Sequence, residues 1–78
     1  GKDIEYDIEI IRKIDSNEEK IKSIIEWKMK NIRYKIKKDE KENRFNIYLE
    51  QSIPDIIINE TKSLVKRIIG IDIAITKL

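Results

Sequence analysis

The apolar residues of this chain change their spacing along its length, and that change restricts the available folds more than any other feature. From Asp3 to Ile11 they alternate, with Ile4, Tyr6, Ile8 and Ile10 on one side and Asp3, Glu5, Asp7 and Glu9 on the other. A period of two with β-branched residues predicts a half-buried strand. Asp15-Ser16-Asn17 then supplies helix-cap chemistry, and Ser16 with Glu19 has capping-box spacing. Beyond it, Ile21, Ile24, Ile25, Met29 and Ile32 recur at helical spacing and form one apolar stripe. Alternation returns at 33–38, where Tyr34 and Ile36 oppose Arg33, Lys35 and Lys37, and again at 44–50, with Phe45, Ile47 and Leu49 inward. The polar connector 39–43 between these two segments predicts a hairpin.

Ser52-Ile53-Pro54-Asp55 reads as a helix start, with Ser52 as cap, Pro54 in the first turn and Asp55 facing the free amides. Ile57, Thr61, Leu64, Val65 and Ile68 supply its stripe. After Gly70 two continuations are open. The helix can run on, or Ile71, Ile73 and Ile75 can alternate with Asp72, Ala74 and Thr76 as a fourth strand. The strand is preferred, because a continued helix would turn Asp72 onto the apolar stripe. The expectation is one domain over residues 1–78. It is an α+β, ferredoxin-like fold, with an antiparallel sheet carrying two helices on one face and leaving the other face open.

Seventy-eight residues bury a modest core. Without cysteine the chain forms no disulfides or thiolate metal sites, and without histidine it lacks the commonest general base and metal ligand. Only Gly1 and Gly70 are glycines, so there is no glycine-rich phosphate loop. Asp39, Glu40 and Glu42 cluster in the connector, where a polar loop accounts for them. The chain is therefore expected to be no enzyme, to use no cofactor or metal and to take no small-molecule substrate. No apolar run approaches the roughly 18 residues that span a bilayer, and Gly1-Lys2-Asp3-Ile4 shows no secretion-signal pattern. These points lead us to expect a cytoplasmic protein without a membrane role.

Function must then lie in surfaces. Seventeen basic residues against 15 acidic leave a net charge of +2, too even for bulk attraction to nucleic acid. A local patch remains. Lys28, Lys30, Arg33, Lys35, Lys37 and Lys38 form the densest basic run, and Arg33, Lys35, Lys37 and Lys38, with Lys66, are candidate RNA contacts. The outward acidic stripe Asp3, Glu5, Asp7 and Glu9 suits an isologous dimer that lays it on the basic stripe of a second copy. Trp27, Ile56 and Ile69 lie off the main apolar stripes and are candidate interface residues. A base-stacking reader of the RRM type is disfavoured, since Tyr48 points outward but Phe45 points inward.

The second half also carries a resemblance. FNIYLEQSIPDIIINETKSLVKRII, from Phe45 to Ile69, resembles the small dimerising subunit of KEOPS, the complex that makes threonylcarbamoyladenosine in tRNA. Glu50 matches the family's acidic strand end, Ser63 its serine, Val65 its leucine and Lys66 its arginine. Ile58, Lys62 and Gly70 depart from its pattern. The resemblance implies a non-catalytic subunit that forms a homodimer or paralogue heterodimer, docks helices on a catalytic protein subunit through residues such as Ser63, and contacts tRNA through basic surface. A second resemblance runs from Ser63 to Lys77. Its helix, Gly70 and Ile71-Asp72-Ile73 are similar to the end of alkaline-shock-type and sporulation ring-building domains, which are assembly modules at membranes and generally lack an opening strand like Asp3 to Ile11. The terminal segment separates the two: a helix through Gly70 favours the first, while a strand from Ile71 favours the second or a generic ferredoxin-like domain.

Overall fold

The computed structural model describes residues 8–77 of the chain. In it three helices and a three-stranded mixed sheet share one hydrophobic core. In chain order these are helix α1 (8–12), α2 (Asn17–Lys28), β1 (Tyr34–Asp39), β2 (Arg44–Leu49), α3 (Asp55–Ile69) and β3 (Ile73–Thr76).

Helix α1 corrects the first expectation. Residues 8–11 are helical and not part of a strand, while Asp3 to Asp7 lie outside the described residues. Ile8, Ile11 and Ile14 are three apart and satisfy a helical stripe as well as Ile8 and Ile10 satisfy alternation. Tertiary packing decides between them. Ile11 enters the core at 4 % exposure and Ile10 stays 46 % exposed.

Helix α2 starts as its sequence demands. Ser16 sits in extended backbone and its hydroxyl accepts the Glu19 amide at 3.1 Å. Glu18 and Glu19 in the first turn and Lys28 in the last suit the helix dipole. Ile21, Ile24, Ile25 and Met29 are buried. Asn31, at φ 60°, then turns the chain into β1, a left-handed position that asparagine tolerates.

Strands β1 and β2 pair antiparallel with Ile36 opposite Ile47 and Lys37 opposite Asn46. In the hairpin turn the Asp39 carboxylate accepts the amides of Lys41 and Glu42, and Asn43 takes φ 51°. Phe45, Ile47 and Leu49 are buried as expected.

Helix α3 begins two residues later than the sequence suggests. Pro54 itself occupies the cap position and no side chain caps the helix, so Ser52 does not play that part. The Pro54 carbonyl accepts the amides of Ile57 and Ile58. Ile58, Thr61 and Val65 are the buried residues, and the Thr61 hydroxyl donates to the Ile57 carbonyl at 2.8 Å, leaving no orphaned polar atom there.

Gly70 closes α3 at φ 84°, its amide donating to the Lys66 carbonyl at 2.9 Å. A side chain here would meet nothing within 4 Å. The demand for glycine is purely conformational. The chain then enters β3 at Ile73, so the expected strand forms over its last four residues, and Ile71 and Asp72 lie outside it.

β3 pairs with β2 in parallel, Phe45 opposite Ile73 and Ile47 opposite Ile75. The sheet is therefore mixed, in the order β1-β2-β3, and not antiparallel throughout. β3 takes the place beside β2 that a ferredoxin-like order gives to an opening strand. Only one face of the sheet enters the core, where residues of α2 and α3 join it. No helix among the described residues is long and apolar enough to cross a membrane.

Candidate interaction surfaces

The pleat sends alternate residues to opposite faces, and the register aligns them into rows. On the helix side, Ile36, Ile47 and Ile75 form one row, and Lys38, Phe45 and Ile73 another. On the open side, Lys35, Tyr48 and Thr76 form a row, followed by Lys37, Asn46 and Ala74. Arg33 extends the open face opposite Glu50, whose amide donates to the Arg33 carbonyl at 2.9 Å.

Arg33, Lys35 and Lys37 thus stand exposed on one face, as the sequence indicates. Lys35 and Lys37 are about 6.6 Å apart along the strand, two residues at some 3.3 Å each. The Lys37 ammonium lies 5.9 Å from the centre of the Tyr48 ring, an exposed cation–π contact worth about 0.5–1 kcal/mol. None of these three cations forms an ion pair within the described residues.

The other two candidate RNA contacts lie elsewhere. Lys38 projects to the helix side of β1, its ammonium 5.8 Å from the Phe45 ring. Lys66 lies on α3 and meets the Asp72 carboxylate at 3.5 Å. The structure therefore divides the five residues into a group of three and two separate ones. Glu9 is exposed on α1 and so cannot extend a strand stripe. Asp3, Glu5 and Asp7 are outside the described residues. Beside β2, where the acidic strand was expected, stand Ala74 and Thr76 of β3.

The helix side carries a second surface. Ile56 is 67 % exposed and, with Asn59, Ser63, Leu64 and Arg67, lines an open groove of about 530 Å³ along α3. Lys28 borders it and pairs with Glu60 at 3.5 Å. Trp27 is half-buried and stacks beneath the Lys28 ammonium at 5.8 Å. With Ile10 and Ile11 it borders a shallow cavity between α1 and α2, so neighbouring structure covers much of its ring. Ile69 is half-buried against the core. Among the described residues of the predicted interface set, Ile56, Ser63 and Glu9 are accessible, and Trp27 and Ile69 are half-buried.

Tyr34 reaches toward α2 from the helix side of β1. Burial, followed by the carboxylates of Glu26 and Glu19, pushes its phenol above the ordinary value. Sequence reasoning groups Lys38 with the open-face cations as a candidate RNA contact, but it stands on the other face. The alternation Tyr34, Ile36, Lys38 contains the signal, but its charge drew it into the basic run.

No family model matches this chain, and neither does any curated protein or solved structure.

Proposed function

We propose that this domain is a non-catalytic assembly module that associates with copies of itself. The observation that carries this reading is the strand β3 after a left-handed Gly70. It gives the end of the chain the helix, glycine, strand order of the ring-building and alkaline-shock-type domains that Ser63 to Lys77 resembles. Residues 8–12 form a helix and not the end of a strand, which agrees with those domains, since they generally lack an opening strand like Asp3 to Ile11. The small core agrees with it too, because a chain of 78 residues gains relatively much from surface buried against a second copy. Sedimentation velocity of the 78-residue chain should show association that increases with concentration. A single monomeric species at every concentration up to the solubility limit would overturn the proposal.

A second reading is favoured by the open face. Three cations with an exposed tyrosine among them suit a phosphate backbone, which fits the tRNA-contacting subunit that Phe45 to Ile69 resembles. Arg33, Lys35 and Lys37 gain little stability from like charges at two-residue spacing. Replacing all three with Gln should therefore leave thermal unfolding nearly unchanged. Under this reading the triple variant binds tRNA more weakly, and the magnitude of its log-log salt slope falls by up to about three units, roughly one per lost contact. An unaltered slope would leave self-assembly as the reading of this domain.

A further inference from the structure

The sheet has two edges, and they differ in the property that decides whether another strand can join. β1 bears Lys35 and Lys37 on its open side and Lys38 on its helix side. A strand added along β1 would continue the helix layer over Lys38 and force its ammonium out of water. An inward-pointing charge on an edge strand is a recognised defence against unwanted pairing. β3 has no such guard. Ile73, Ala74, Ile75 and Thr76 carry no charge, and among the described residues the outer side of β3 pairs with nothing. Ile71 and Ile75 remain only half-buried at this edge.

We infer that β3 joins β3 of a second copy, antiparallel about a two-fold axis, merging the two sheets into one. This deepens the self-assembly reading and rests on it. Charge selects the occupant. A β1-to-β1 pairing sets lysines against lysines, and β1-to-β3 buries Lys38. Only β3-to-β3 is free of both costs, and it closes at two copies instead of growing into a fibre.

The register follows from the pleat. Directly opposed residues of an antiparallel pair share a face, so the axis passes through a residue. Centred on Ala74, it sets Ala74 against the second copy's Ala74 on the open side, Ile73 against Ile75 on the helix side, and Asp72 against Thr76. Centred on Ile75, it would set Ile73, inside the strand, against Lys77, whose ammonium is held by Asp55. In the Ala74 register Lys77 falls opposite Ile71, and both lie outside Ile73–Thr76, so the paired strand itself carries no charge.

The test is a charge exchange at the axis. Ala74 faces the open side, so Ala74→Lys and Ala74→Glu add a charge without entering the core. Each variant alone sets like charges directly opposite and should weaken dimerisation by about fivefold or more. An equimolar mixture should recover it as a heterodimer, a rescue that misfolded variants cannot produce. The wild-type dimer should persist as salt rises, since backbone pairing and apolar contact are not screened. A wild-type chain that is monomeric throughout overturns the assembly reading itself. Association that the two variants leave unchanged, or that salt abolishes, overturns the β3 interface alone and points to the α3 groove or the charged faces.

Discussion

Replacing Ile47 with alanine should destabilise the domain by about 2–5 kcal/mol, the range for a fully buried isoleucine whose site collapses only partly. Ile47 is 0 % exposed at the centre of β2, between Ile36 on β1 and Ile75 on β3. A cavity there touches all three strands. Domains of this length hold roughly 4–12 kcal/mol in total, so the substitution removes a large part of the stability and lowers Tm by about eight degrees or more, at about 4–8 °C per kcal/mol. Ile56→Ala is the matched control. Its side chain is 67 % exposed, and the loss should be within about 0.5 kcal/mol. Urea unfolding of both variants checks the pair, and equal losses would contradict the position of the core.

The second large effect separates a helix from a strand at the start of the chain. Ile11→Ala should cost about 2–4 kcal/mol, because Ile11 is 4 % exposed in the core cluster. Ile10→Ala should cost under about 1 kcal/mol, with the side chain 46 % exposed. An alternating strand over Asp3 to Ile11 puts Ile10 inward and Ile11 outward, and so ranks the two losses the other way. Measured unfolding free energies in that reversed order would refute α1.

The contrast between these neighbours shows where the sequence is informative. Where apolar spacing admits one period, as in Phe45, Ile47 and Leu49 or in Ile21, Ile24 and Ile25, burial follows it. Residues 8–14 admit two periods, since isoleucines at 8, 10, 11 and 14 serve a strand or a helix equally well. The choice belongs to the other elements, because β3 already occupies the free side of β2. Partner choice in a sheet is a long-range matter, and local pattern says nothing of it. The cap of α3 failed for a nearer reason. Ser52 has the right chemistry, but Pro54, at φ −57° and ψ 142°, already holds the extended conformation of a cap residue and leaves the serine outside the helix. Among the candidate surfaces, the three cations of the open face were legible from alternation alone. The neutrality of β3 as an edge became visible only with the strand order.

The parallel pairing of β2 with β3 also orders events in time. Lys38 meets Phe45 across seven residues of chain, whereas Phe45 meets Ile73 across 28. Two doublings of loop length add about 1.2 kcal/mol of closure entropy, and the longer loop must also wind α3 and set Gly70 before its ends can meet. The hairpin can therefore form early, while β3 docks among the last events of folding. An edge completed last does not exist in partly folded chains. Copies meeting during synthesis or refolding would find no β3 to pair with, so the proposed association through it would be confined to molecules that have already reached the native state.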